Sequence, residues 1–255
     1  MDVTKKVAVV AGGGSGMGRA AARELAARGA VIAVLDLPGG KGAEAVAELG
    51  GPATFHPCDV TDFAGTEAAL ESVIEAHGSM HVAVNTAGGG RSKRIIGKDG
   101  PLPLAEFRGL VELNLIATFN LNRLQAWHMS KNEPDEMGER GVIINTSSIA
   151  AFEGQIGQVS YGAAKAGIAG MTLPMARDLG SLGIRVLAIA PSLFATGLME
   201  GAPEDVIANL TKDAAFPRRP GRPEEFGWLA DAIVRNPMLN GQAIRLDGGQ
   251  RFAPR

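Results

Sequence analysis

A single cysteine, Cys58, stands in 255 residues, so an intrachain disulfide is excluded. The lone thiol suits a reducing compartment and reads as a small, semi-buried residue rather than as a nucleophile. Excess charge is missing as well, with 25 Lys and Arg against 27 Asp and Glu. No overall positive field exists to hold nucleic acid or an anionic membrane, and any anionic ligand must be held locally. Nor does the sequence carry an apolar stretch long enough to cross a bilayer, or a leader-like apolar region ahead of the first apolar run after Lys6. The chain is accordingly expected to be soluble, unprocessed and cytoplasmic, with neither nucleic acid nor membrane as a partner. Histidine is sparse, and the pair at i, i+4 spacing, His77 and His81, has Gly78 between its members and leads into a strand. No metal site is expected there.

What the chain does have is 45% hydrophobic residues, enough for one large core. Apolar, β-branched runs recur at residues 7–10, 31–35, 82–84, 142–144, 184–189 and 243–246, with a shorter one at 53–56. Helix-forming stretches alternate with them, as in Arg19-Ala20-Ala21-Ala22-Arg23-Glu24-Leu25. Near-continuous apolar strands separated by helices indicate parallel strands covered on both faces. The expected fold is therefore α/β: a single-domain, Rossmann-like, doubly wound parallel sheet of about seven strands over residues 1–255. Two connections, 88–103 and 191–223, are longer than the rest. The second leaves the C-terminal end of a strand, where open α/β sheets place their ligands, and is expected to be the substrate loop.

The first strand is followed at once by Ala11-Gly12-Gly13-Gly14-Ser15-Gly16-Met17-Gly18 and then by a helical pattern. A glycine-rich strand-to-helix turn lets backbone amides approach a pyrophosphate, while the helix N-terminus adds partial positive charge. Gly12, Ser15, Gly16, Met17 and Gly18 are thus candidate cofactor contacts, where a lone glycine run would read only as a flexible turn. The second strand ends at Asp36, 18 residues beyond Gly18, in the place of the acid that accepts hydrogen bonds from an adenosine ribose. The 2′-phosphate of NADP would meet it as a like charge, so NAD is the expected cofactor. Asp59 and Val60 follow the third strand, and Asn85, Ala87 and Gly88 the fourth, where adenine and ribose should pass. Each of these alone would be ordinary strand-end chemistry.

Beyond the fifth strand come Ser148 and, thirteen residues later, Tyr161-Gly162-Ala163-Ala164-Lys165. Tyr161 and Lys165 share a helix face, and an ammonium there favours the phenolate of a group whose reference pKa is about 10. A surface Tyr and Lys sharing a face by chance is the bland alternative. Tyr161 is the sole tyrosine and follows an intact nucleotide-binding half, which makes it the candidate acid/base.

Gly12, Gly16 and Gly18, the Asn85-Thr86-Ala87-Gly88 run, Asn114, Ser148, Tyr161 and Lys165, each after the expected strand, resemble the short-chain dehydrogenase/reductase family over essentially the whole chain. The resemblance implies that Tyr161 transfers the proton, that Ser148 orients the substrate oxygen, and that Lys165 lowers the tyrosine pKa and binds the nicotinamide ribose. It also implies that Asn114 holds a water linking Lys165 to solvent. Asn132-Glu133-Pro134-Asp135, Ala150-Ala151-Phe152-Glu153-Gly154-Gln155 and Met171-Thr172-Leu173-Pro174 are similar to the type-2 3-hydroxyacyl-CoA dehydrogenase subgroup, also called type 10 17β-hydroxysteroid dehydrogenases. That likeness implies Phe194 and Thr196 at the nicotinamide, Gln155 near the substrate oxygen, a homotetramer and an acyl-CoA substrate. Gln155 reads almost as well as an amide that fixes its own loop. Ala11, Thr86 and Ser192 depart from the family's commoner Thr, Asn and Pro-Gly, which bears on the cofactor loop and not on the reaction. Arg91, Lys93 and Arg94 read as a solvated basic group or as a grip on CoA phosphates. The expected activity is oxidation of a 3-hydroxyacyl-CoA; a steroid or other secondary-alcohol dehydrogenase, and a nucleotide-binding scaffold with little turnover, are the alternatives.

Overall fold

The computed structural model describes residues 1–90, 93–197 and 203–254. In chain order they form β1 (Val7–Ala11), α1 (Gly16–Ala27), β2 (Val31–Asp36), α2 (Gly42–Leu49), β3 (Ala53–Pro57), α3 (Phe63–His77) and β4 (Val82–Asn85). A small hairpin follows, β5 (Ile96–Gly97) and β6 (Gly100–Pro101), then α4 (Leu104–Val111), which runs through a π-helical turn at Glu112–Ile116 into α5 (Ala117–Met129). The second half comprises β7 (Gly141–Thr146), α6 (Val159–Gly180), β8 (Ile184–Pro191), α7 (Glu204–Thr211), α8 (Pro223–Arg235) and β9 (Ala243–Leu246). Among the described residues, seven strands make one sheet in the order β3-β2-β1-β4-β7-β8-β9, and every neighbouring pair is parallel. The expected doubly wound α/β sheet is what the chain forms.

Alternating side chains explain why both faces need cover. The register sets Ala8 beside Ile32 and Val82, and that row faces Leu25 of α1 and Phe226 and Ile233 of α8. One residue on, Val9 lies beside Ala33 and Ala83 and faces Leu70 of α3 and Leu121 and Met129 of α5. A strand buried on both faces reads as a continuous apolar run for this reason. Phe226 is fully buried, and a side chain of that size contributes about 2–3 kcal/mol through its burial.

Neither long connection is plain loop. Residues 88–103 hold the β5–β6 hairpin, and residues 191–223 hold α7, a helix the prolines disguise because Pro203 is its N-cap residue. Val206, Ile207 and Leu210 give that helix a short apolar stripe, too brief to stand out from its proline-rich flanks.

Candidate active site

From β1 the chain builds the sheet toward β3, and from β4 it builds toward β9, so the connections part between β1 and β4. Ligands of open parallel sheets sit at such a point, outside the carboxyl ends of the strands. A cleft of about 720 Å3 opens there, walled by Gly12, Ser15, Gly16, Met17 and Gly18 from the first turn and by residues after β2, β3, β4, β7 and β8.

The turn is shaped by what its glycines lack. A Cβ at Gly12, whose φ is +78°, would lie 2.7 Å from the backbone nitrogen of Ala87, and one at Gly18 would strike the carbonyl oxygen of Gly12. Bare backbone at both positions lets α1 start close against the turn and leaves the first amides of α1 open to an anion, while those of Gly12 to Gly14 are bonded to Leu35 and Asp36. Thr86 completes the arrangement: its hydroxyl lies 2.9 Å from the Ala11 carbonyl oxygen and 3.2 Å from that of Gly12, tying the turn to the end of β4. The departure at Thr86 therefore supplies a tether that Ala11, lacking a hydroxyl, does not.

Asp36 also faces the cleft. One carboxylate oxygen accepts the Gly14 N–H at 2.7 Å and the other accepts the Leu37 N–H at 2.8 Å. Asp59 accepts from the backbone N–H and the hydroxyl of Thr61, and these bonds hold its carboxyl below the ordinary range. Val60, Ala87 and Gly88 line the same cavity, as do Phe194 and Thr196 beyond β8. Thr196 abuts the turn, with its Cγ2 3.0 Å from where a Cβ on Gly16 would stand.

Ser148, Tyr161 and Lys165 form the opposite wall. Two cross-ties join the end of β7 to α6: the Ser147 hydroxyl donates to the Lys165 carbonyl oxygen at 2.8 Å, and the Lys165 ammonium donates to the Thr146 carbonyl oxygen at 2.8 Å. Ser148 accepts the Ala150 N–H at 3.1 Å, which sets its rotamer. Burial lowers the Lys165 pKa to about 8. Tyr161 departs from expectation here, because burial raises its hydroxyl above the ordinary range and the Ser148 hydroxyl pulls it only partly back. The Lys165 ammonium sits over the tyrosine ring, 5.7 Å from its centroid, instead of against the oxygen. Among the described residues no group of three or more His, Cys, Asp and Glu side chains is placed to hold a metal ion.

Three expected site residues are not part of the cleft wall. Asn85 is 3% exposed, and its amide is spent in a buried cluster with Asn122, Gln125 and Asn145, so only its main chain leads to the site. Asn114 sits at the π-helical turn beneath the wall; its side chain accepts the Gly89 N–H at 3.0 Å and donates to the Gly89 carbonyl oxygen at 2.7 Å. It clamps the glycines after β4. Gln155 is farther off, donating to the Ala253 carbonyl oxygen at 3.2 Å in a second groove beside α6, the placement of the loop-fixing amide that is its alternative reading. Lys93 and Arg94 border that groove, Lys93 paired to Glu106 at 2.5 Å. Arg91 lies outside the described residues. The cleft also gains Leu37, Cys58, Thr61, Leu113 and Pro191, which no motif singled out. Their signal is positional: all but Leu113 follow or end a strand on the cleft side of the sheet.

The family model for short chain dehydrogenase matches residues 6–206. Over 250 residues the chain is 48% identical to the 3-hydroxyacyl-CoA dehydrogenase type-2 of Homo sapiens, covering 97% of this chain and 96% of the relative. It is 44% identical over 254 residues to the protein of that name from Drosophila melanogaster, at 99% and 100% coverage. A crystal structure of 3-hydroxyacyl-CoA dehydrogenase type-2 from Mycobacterium avium superposes with a TM-score of 0.93 at 41% identity, covering 98% of this chain and 97% of that one.

Proposed function

Because this chain belongs to the short-chain dehydrogenase family of nicotinamide-dependent oxidoreductases, we propose that it oxidises a 3-hydroxyacyl-CoA reversibly to the 3-oxoacyl-CoA with NAD. One observation carries the reading: a single cleft is shared by the glycine turn, Asp36, Ser148, Tyr161 and Lys165, in a chain 44–48% identical to dehydrogenases of that name. The residues fit the cofactor, since Gly12 and Gly18 have no Cβ to push the turn away from Ala87 and from the start of α1, whose first amides border the cleft. In this reading the N–H groups of Ser15, Gly16 and Met17 at the start of α1 hold the pyrophosphate, those of Gly12 to Gly14 being bonded to Leu35 and Asp36, and Asp36 holds the adenosine ribose. Asp59 and Val60 flank the adenine, Ala87 and Gly88 admit close backbone contact, and Lys165, Phe194 and Thr196 meet the nicotinamide end. Bound nicotinamide supplies the hydride acceptor for the carbinol carbon. Tyr161 as phenolate takes the hydroxyl proton, Ser148 donates a hydrogen bond to the substrate oxygen, and Lys165 offsets the phenolate charge that burial disfavours. Asn114 keeps the Gly88–Gly89 backbone in place beside the Lys165 ammonium.

Leu193 and Phe194 supply apolar wall for an acyl chain; Leu198 and Met199, apolar residues of the same 191–223 connection, lie outside the described residues. Arg94 and Lys93 stand beyond the cleft, where CoA phosphates would be met by charge-assisted hydrogen bonds. Exposed Ile116 and Phe119 along the α5 side, with Leu173 on α6, support association into a homotetramer. Buried Cys58 suits the reducing, cytoplasmic setting of the same reading.

Turnover of matched short 3-hydroxyacyl-CoA esters, the same acids without CoA, and 17-hydroxysteroids, followed as NADH under one set of conditions, tests the substrate. Remote binding energy from CoA positions the hydroxyl, so kcat as well as affinity is expected to fall when CoA is removed. If steroids give the higher kcat/KM, or CoA makes no difference, the acyl-CoA assignment fails and the dehydrogenase remains. Saturable NADH production with none of these would leave the substrate class open, and no NADH from any alcohol would favour the scaffold.

A further inference from the structure

Ser148 and Tyr161 are joined by residues 149–160, and the two halves of that segment are held differently. The inner half is packed: Ile149 and Ala150 are buried, and Ser148 caps the short 3-10 turn Ile149–Ala151. The outer half has little apolar anchorage, since Phe152, Ile156 and Val159 are all exposed. Gly154 and Gly157, the latter at φ +91°, add backbone freedom there. Such a stretch stays in one place only through polar ties to something rigid.

Most of those ties converge on residues 245–254, at and just past the last strand, with one more from the Lys93 N–H to the Gly157 carbonyl oxygen at 2.9 Å. Glu153 lies 2.9 Å from an Arg245 guanidinium nitrogen and 3.3 Å from one of Arg251. Asp247 pairs with the same two arginines at 2.6 and 3.1 Å. The four side chains close a ring of alternating charge whose net charge is zero. Arg245 is anchored on β9 and stacks over the Phe152 ring at 5.5 Å, so the ring begins from the sheet itself. The second Glu153 oxygen accepts the Phe252 N–H, and the Ile156 N–H donates to the Pro254 carbonyl oxygen at 3.0 Å. Gln250, 2% exposed, donates to the Leu210 carbonyl oxygen and binds this tail to α7.

We infer that Glu153, through its ring with Arg245, Asp247 and Arg251, is a positioning residue that holds the segment between Ser148 and Tyr161 and so keeps those two side chains in register. This rests on the reading that Ser148 and Tyr161 do the chemistry. Three of the ring members are half-buried or buried and Arg251 is 61% exposed in its side chain, so the ring is a partly desolvated network and not a set of free surface pairs.

The test is Glu153→Gln, which keeps the shape and removes the charge, measured with the substrate of highest turnover. The expected result is a loss in kcat of about tenfold or more, with KM for NAD and the Kd of NADH within about twofold. Glu153→Asp should recover part of the loss. In a Ser148→Ala background the same Glu153→Gln change should cost little, because residues acting through one geometry are not additive. An unchanged kcat in Glu153→Gln, or a full additive loss in the Ser148→Ala background, would overturn the inference. Should Ser148→Ala itself turn over normally, it is the catalytic reading that fails. If Glu153→Gln does not fold, Arg251→Gln opens the ring at its exposed corner; a kcat lowered about threefold at constant NADH affinity supports the positioning role, and an unchanged kcat rejects it.

Discussion

Lys165 is buried in the cleft wall, and its ammonium has the Thr146 carbonyl oxygen as hydrogen-bond partner. Its pKa falls from 10.5 to about 8 for lack of solvent. A lowered lysine value means that the fold disfavours the charged form: at pH 7 the lysine is charged in both states and the cost of burying the charge is fully present, and it is relieved as pH rises from about 8 toward 10.5. The shift corresponds to about 3 kcal/mol. Part of this is lost again when the Thr146 carbonyl goes unpartnered, so Lys165→Met should stabilise the unliganded protein by about 1–2 kcal/mol at pH 7 while removing turnover. Urea unfolding at pH 7 and at pH 9.5 checks it, the gap closing at the higher pH; a variant less stable at pH 7 would contradict it. Asp36 gives a second expectation at this scale. Wild type should prefer NAD, and Asp36→Ala should narrow the ratio of kcat/KM values for NAD and NADP by removing a like charge. Preference of the wild type for NADP would contradict the assignment. Most of the residues lining the cleft were legible because they sit in short runs after strands. The buried cluster that takes up the Asn85 amide was not, since the same run shape serves a cofactor contact or a buried amide cluster. The signal that separates them is Asn122 and Gln125 on α5, polar residues among Leu121, Leu124 and Ala126 that must find partners in the interior.

Among the elements, α3 and edge strand β3 are joined by a chain of hydrogen bonds whose proton direction can be worked out. Ser72 donates its only proton to the Ala69 carbonyl oxygen at 2.7 Å, so it must accept from His56 Nδ1. Neutral His56 then accepts at Nε2 from the Thr54 hydroxyl, which in turn accepts from His77 Nε2. Nitrogen NMR should find His56 as the Nδ1–H tautomer and His77 as the Nε2–H tautomer; a proton on His56 Nε2 at neutral pH would contradict the chain. Burial lowers both values, and at His56 the neighbouring His77 adds to it. His81, whose Nδ1 accepts the Val7 N–H at 3.3 Å, is lowered to about 4 by burial. Depressed values mean the unfolded chain binds more protons, so these histidines support the fold fully above about pH 6.5 and withdraw that support as pH falls through their folded values. The sheet was legible because strands buried on both faces appear as unbroken apolar runs, whereas the β5–β6 hairpin, with two-residue strands and exposed Ile96, has no pattern long enough to read. The helix α7 escaped for the same reason, being eight residues between prolines.

At the scale of the whole molecule, two halves of one sheet are brought to a common edge. The turn after β1 and the acid that ends β2 come from one half, and the wall of Ser148, Tyr161 and Lys165 from the other. Each half alone has a bland reading, a flexible turn or a chance pair on a helix; the cleft between β1 and β4 makes them parts of one site. The residues around Glu153 extend this outward, linking β9, α7 and the segment before α6. The proposed chemistry depends on the Tyr161 oxygen. Only that atom is removed in Tyr161→Phe, and the ring that packs beneath Lys165 is kept. The decisive measurement is NADH formation by pure Tyr161→Phe with the substrate of highest turnover, beside NADH binding to the same protein. Turnover is expected to fall by at least about 10³-fold with NADH affinity nearly unchanged, and retained turnover would contradict the acid/base role of Tyr161.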